Sequence, residues 1–194
     1  MLPEPYLIVT FNQTGSVPGK TNAWTITNPT ENKISYTWSL NDRIYSEEDK
    51  NTIQNGKGEV EPGQSISVVT DVVYNPDTLL VIYHNQFGSE VIDTATAKMY
   101  TWITGEANNG SFTDDNGNTL STEPTYYFAG STVQLTANPS SGYRFVNGSW
   151  DIDPDDEYVQ VSTSGSTAII VISDFTPPEE VALYSAGYPT WTDG

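Results

Sequence analysis

Apolar and polar residues alternate with a period of two over much of this chain. In Ile34-Ser35-Tyr36-Thr37-Trp38-Ser39-Leu40 the large apolar side chains fall on one face of an extended segment and the hydroxyls on the other, the pattern of a strand with one buried face. Trp24-Thr25-Ile26-Thr27 repeats it, and "SISVVTDVVY" continues it around Ile66 and Val68. "TLLVIYHN", residues 78 to 85, is apolar on both faces, as a central strand is. Helical periodicity is almost absent, and short alternating runs recur every eight to fifteen residues between Gly, Pro, Asn and Asp. That spacing predicts an all-β chain. "NPTEN" (28 to 32), "EPGQS" (61 to 65) and "NPD" (75 to 77) read as connections. "NDRIYSEEDKNTIQNGKGE" (41 to 59) is long and polar for a hairpin and reads as a loop or a short helical turn.

A second set of strand-like runs begins near Tyr100 with "YTWITG" and continues through "YYFAGSTVQLTANP", "GYRFVNGSW", "YVQVSTSG" and "TAIIVISD". A chain of 194 residues exceeds one β-sandwich module and fits two of roughly 100 residues each. The boundary falls at "DTATAKMYT" (93 to 101), where one strand is expected to run from the first domain into the second. "GYPTWTDG" closes the chain as a tail, ordered only if it docks elsewhere.

Hydrophobic residues make up only 36%, but five Trp, twelve Tyr and six Phe supply large rings that bury much area per residue. A core is therefore within reach. Seven basic against twenty-five acidic side chains give a net charge of −18, which repels phosphate backbones and anionic lipid. Nucleic acid is excluded as a partner, and membrane insertion is excluded because no apolar run approaches a span. The chain has no Cys, so disulfides and thiolate metal sites are excluded too. "MLPEPYLIVTF" lacks the basic region and long apolar stretch of a signal peptide, so either a leader has been removed or the protein does not use the secretory route.

Two resemblances follow from particular residues. "NAWTITNPTENKISYTWSL", "GEVEPGQSISVVT" and "TLLVIYHNQFGSEVIDTATA", within 22 to 97, resemble the immunoglobulin-like modules of bacterial and phage surface proteins. "NGSF", "YYFAGSTVQLTANPSSGYRFVNGSW" and "STAIIVISD", within 108 to 186, resemble the internalin-B-type repeat of bacterial adhesins, with an extra residue before Trp150 and a longer acidic stretch after it. The resemblances imply an immunoglobulin-like β-sandwich over 1–97, an internalin-B-repeat-like β domain over 98–187 and a tail over 188–194. They imply a spacer or adhesive module and no catalyst. Trp24, Trp38, Phe145 and Trp150 are expected to fill the two cores.

Candidate chemistry is sparse. Asp151, Asp153, Asp155 and Glu157 offer hard oxygen ligands at alternate positions, as calcium loops do. The EF-hand pattern fails, because Asp156 stands where its Gly belongs and Ser162 where its Glu belongs. The run is therefore expected to be a solvated turn, with no metal and no cofactor. A glycosidase reading would pair Asp151 or Glu157 with Asp114 or Glu106 across a sugar, but no spacing in the sequence supports it. His84 is the one His and is expected to be a hydrogen-bonded structural residue. Tyr126, Tyr127, Tyr188 and Trp191 are candidates for stacking on carbohydrate, with burial the ordinary alternative. Asn12, Asn109 and Asn147 stand in Asn-x-Ser/Thr triplets.

The ends are the expected docking elements. Pro3 and Pro5 precede a β-rich run in which Tyr6, Leu7 and Ile8 can add to a partner's sheet edge. Tyr188 and Trp191 are aromatic anchors at the other end. The sequence points to a non-enzymatic structural or interaction protein displayed on a surface. A phage virion component such as a capsid decoration or a tail or neck protein comes first, docked on a protein lattice, with a second copy of the chain as a further candidate partner. A module of a secreted bacterial adhesin at the cell surface is the alternative, and a carbohydrate-binding accessory domain a further one.

Overall fold

The computed structural model describes residues 6–41, 54–85, 87–152 and 159–174, together with the backbone of 191–193. The chain is all-β and divides into two compact units, Met1–Lys98 and Met99–Gly194. Among the described residues the only helical element is a single 3-10 turn, η1 (Gln13–Gly15), and no helix is long and apolar enough to cross a membrane.

The first unit is a two-sheet sandwich. One sheet has the order β1 (Ile8–Phe11), β2 (Thr21–Thr27), β5 (Ser65–Asp71), and the other β4 (Asn55–Val60), β3 (Ile34–Leu40), β6 (Thr78–His84), β7 (Glu90–Thr96), all antiparallel. Seven strands in two sheets is an immunoglobulin-like arrangement. The alternation read from the sequence sets the inner faces: Trp24, Ile26 and Val68 from one sheet meet Tyr36, Leu40, Leu79, Val81 and Tyr83 from the other in one core. Removing each such side chain from water contributes about 1.5–3 kcal/mol. Trp24 is fully buried, and its indole Nε1 donates to Thr70 Oγ1 at 3.0 Å, so the one polar atom of the ring is satisfied inside the core.

Trp38 departs from expectation. It is only half-buried at the margin of the core, where it faces Gly56 across the β3–β4 ladder. A Cβ on Gly56 would lie 2.5 Å from the indole nitrogen, and one on Gly58 would lie 2.5 Å from the Tyr36 hydroxyl. β4 is thus a strand whose two glycines leave room for neighbouring rings, although 41 to 59 reads as a loop. Residues 42–53 of that segment lie outside the described residues. The expected continuous junction strand is also absent: β7 stops at Thr96 and β8 starts at Tyr100.

In the second unit β8 (Tyr100–Ile103) pairs with β11 (Thr125–Phe128), and a five-stranded sheet runs β10 (Thr119–Leu120), β9 (Gly110–Thr113), β12 (Thr132–Pro139), β15 (Thr167–Ile172), β14 (Val159–Ser164). β13 (Tyr143–Phe145) pairs with β16 (Trp191–Asp193). Val133, Leu135 and Ala137 of β12 are buried on one face, beside Ile170, Ala168 and Phe112 of the flanking strands. Ile103 and Tyr127 close the same core. Phe145 and Trp150, expected inside, are half-buried and pack against its margin.

Candidate functional site

The acidic run that attracts attention in the sequence is only partly in view. Asp151 is exposed and Ile152 packs against the core, while Asp153, Asp155 and Glu157 lie outside the described residues. Among the described residues no group of three or more His, Asp or Glu side chains is placed to hold a metal ion. The sugar-cleaving pair fails on one member. Asp114 is buried, and its carboxylate accepts the backbone N–H groups of Asn116 and Asn118 at 3.0 and 2.7 Å, the Asn118 amide at 2.8 Å and the Tyr127 hydroxyl at 2.9 Å. Burial opposes its charge, but the hydrogen bonds from Asn118, Tyr127 and Asn116 outweigh that and hold Asp114 below the ordinary carboxylate value. All its acceptor capacity is turned inward, so it closes the β9–β10 turn and faces no substrate.

Tyr127 is correspondingly no stacking residue. It is buried, and burial followed by the bond to Asp114 pushes its phenol well above the ordinary value. Tyr126, its neighbour, is half-exposed on the opposite face of β11. Its ring meets Tyr100 edge-on at 5.6 Å and Trp102 at 6.3 Å between centroids, both on the paired strand β8, where Trp102 stands directly opposite Tyr126. The three half-exposed rings form an aromatic strip. Tyr100 and Trp102 were visible in the sequence only as strand residues of "YTWITG"; the cross-strand register is what joins them to Tyr126.

The N-terminal strand serves its own sheet. β1 is paired with β2 from Ile8 opposite Thr27 to Phe11 opposite Trp24. Leu7, expected to meet a partner, is 3% exposed, and its N–H donates to the Tyr83 hydroxyl at 2.9 Å. That hydroxyl donates in turn to Asp93 Oδ2 at 2.8 Å, and burial together with the Asp93 bond raises the Tyr83 pKa far above the phenol value. Leu7 is therefore a core residue. Tyr6 and Ile8 beside it are 45% and 50% exposed. At the other end Trp191 sits opposite Phe145 in the β13–β16 pair, and Tyr188 lies outside the described residues.

Two further features were missed. Asp77, read only as part of a turn, is fully buried, and its carboxylate accepts the amides of Asn22 at 2.9 Å and Asn41 at 2.6 Å and the backbone N–H groups of Val73 at 3.0 Å and Tyr74 at 2.8 Å. No single segment of sequence shows this, since Asn22 and Asn41 are 55 and 36 residues away. The outer face of the four-stranded sheet carries a shallow depression of about 630 Å³ over Ser35, Thr37, Lys57, Glu59, Ile82, His84 and Glu90. His84 is exposed there, opposite Glu90. The depression mixes hydroxyls, both signs of charge and one aliphatic floor, the character of a protein-contact surface more than of a catalytic cleft.

No curated protein matches the chain in sequence. Among solved structures, a bacterial adhesin from Mobiluncus mulieris containing intramolecular disulfide, isopeptide and ester bond cross-links aligns over 97% of this chain and 99% of its own, at 9% identity and a TM-score of 0.29. CBD12 from CALX1.2 aligns over 67% of this chain and 79% of its own, at 10% identity and a TM-score of 0.26. Likeness at that level carries no functional argument. The family comparison is more specific: residues 103–174, from the last residue of β8 to just past β15, match the divergent InlB B-repeat domain.

Proposed function

We infer that this chain is a non-catalytic β module displayed outside a bacterial cell, acting as spacer or adhesive element through protein contacts. The observation that carries this reading is the match of residues 103–174 to the divergent InlB B-repeat domain, on a unit whose buried carboxylate, Asp114, is spent on its own turn and on Tyr127. The all-β build, the aromatic strip and the net charge of −18 accord with a solvated, surface-exposed molecule. The cell-surface reading replaces the virion as first choice, because the family match is to the InlB B-repeat domain.

Immunogold labelling of intact source cells with antibody raised against residues 99–174 tests it. Labelling of the outer surface before lysis, removed by brief protease treatment of whole cells, is expected. Label confined to lysed cells, or concentrated on released phage particles, would overturn the reading.

A further inference from the structure

Four asparagines in this chain precede glycine: Asn55, Asn109, Asn116 and Asn147. We propose that Asn147 is a site of spontaneous backbone modification, at which Asn147-Gly148 converts through a succinimide to aspartate and isoaspartate while the other three pairs are protected by the fold.

The reaction needs the backbone nitrogen of the following residue to reach the side-chain carbonyl carbon. The Gly148 nitrogen gives up its proton to solvent base and bonds to Asn147 Cγ; the bond from Cγ to the side-chain nitrogen breaks and, with a proton from water, ammonia leaves. Water then adds to one of the two imide carbonyls, opening the ring to the α-linked or the β-linked acid. Solvent is the only co-reactant. The step requires a glycine-like freedom at the second residue, an N–H that is not already spent, and space for a five-membered ring.

Asn147-Gly148 meets all three requirements. Asn147 is exposed in a turn closed by the Ser149 N–H on the Val146 carbonyl at 3.2 Å, and Gly148 has φ of +79°. Among the described residues neither the Asn147 amide nor the Gly148 N–H has a hydrogen-bond partner, and nothing lies within 4 Å of where a Cβ on Gly148 would be.

Each of the other pairs fails one requirement. Gly117 donates its N–H to the Asp114 carbonyl at 3.1 Å, while Asn116 N–H is held by the Asp114 carboxylate at 3.0 Å. Gly56 lies in β4 opposite Trp38; the Leu40 N–H bonds the Gln54 carbonyl, so alternation makes Trp38–Gly56 the next bonded rung. Asn109-Gly110 fails on freedom and space: Asn109 is half-buried with its carbonyl accepting the Ser140 N–H at 2.9 Å, and Gly110 is fixed in strand β9 opposite Pro139.

Conversion places a new carboxylate, and in the β-linked product an extra main-chain carbon, between β13 and Trp150. Trp150 is held there by its Nε1 bond to the Gly165 carbonyl at 2.9 Å and by stacking near Phe112 and Phe145. The Asn147 side-chain oxygen faces the same β14–β15 turn.

The full chain, held at mildly alkaline pH and warm but native, is to be followed by peptide mapping in a mass spectrometer, in parallel with a sample in denaturant. Asn147 is expected to convert in native protein at nearly its denatured rate, while Asn55, Asn109 and Asn116 are slowed at least several-fold relative to theirs. Asn147→Gln, which cannot close the five-membered ring, should abolish conversion in that peptide and leave the others unchanged. Protection of Asn147 as strong as that of the other three, or faster native conversion at any of them, overturns the proposal.

Discussion

Among the described residues each unit buries one aspartate, Asp77 and Asp114, and the two are used in opposite ways. Asp77 gathers distant segments: the amides of Asn22 in β2 and Asn41 after β3 converge on it with the backbone of Val73 and Tyr74. Asp114 organises its own turn, with Asn116 and Asn118 supplying three of its four donors and Tyr127 the only distant one. Both satisfy the rule that a buried charge must be fully hydrogen-bonded. One is a knot in the tertiary structure and the other a local clasp, so their loss should spread over different distances.

The largest effect is expected for Asp77→Ala. It leaves the buried Asn22 amide without its acceptor, at a cost of about 1–3 kcal/mol, and also frees the half-buried Asn41 amide and the backbone N–H groups of Val73 and Tyr74 that tie the 73–77 turn. A loss of at least about 3 kcal/mol in the unfolding of the first unit is expected in denaturant titration. A loss under about 1 kcal/mol would show that water replaces the carboxylate and that the knot is dispensable.

Asp114→Asn should cost less, about 1–2 kcal/mol, because the turn keeps its shape and loses mainly the charge-assisted part of the bonds. The pH dependence gives an independent reading. Asp114 has its pKa lowered in the folded state, so its contribution is complete above the unfolded carboxylate pKa of about 3.9 and is lost as pH falls through the lower folded value. The fall in melting temperature of the second unit over that acid range should be shallower in the variant than in the parent. Identical acid profiles would mean that the carboxylate's hydrogen bonds do not favour its charged form.

Smaller again are the two tyrosine hydroxyls that reach carboxylates. Tyr83→Phe removes the link from Leu7 to Asp93, and Tyr127→Phe removes the distant donor to Asp114; each should cost about 0.5–1.5 kcal/mol. Tyr83→Phe carries an extra expectation, since the Leu7 N–H loses its acceptor: exchange of that amide with solvent should rise more than that of the β2 amides. Equal acceleration throughout β1 and β2 would mean that the N-terminal strand is held by its ladder alone.

The contrast also explains how far the sequence could be read. Strands with regular side-chain alternation, such as Ile34–Leu40 and Thr132–Pro139, were evident because a buried face imposes period two. The stretch around Val133, Leu135 and Ala137 was the clearest, since every second residue there is buried. β4 escaped because two of its three inward positions are Gly56 and Gly58, which carry no side chain to alternate and leave Val60 alone to mark the buried face, and because their purpose, making room for Trp38 and Tyr36, depends on strand register. Asp77 and Leu7 escaped for the same kind of reason: their partners lie tens of residues away. Asp114 stands beside Asp115-Asn116-Gly117, a hairpin-turn sequence, but its burial is not legible there, because that depends on Tyr127 from another strand. Of the expected docking residues, Leu7 proved to belong to the core, while Tyr6 and Ile8 remain on the surface.

Native-state hydrogen exchange, residue by residue, tests the contrast between knot and clasp most directly. The Val73 and Tyr74 amides, bonded to Asp77, should exchange only with the global opening of the first unit, at the same free energy as its core strands. The Asn116 and Asn118 amides, bonded to Asp114, should exchange through a local opening well below the stability of β12 and β15. Equal protection of the two pairs relative to their own cores would contradict the account.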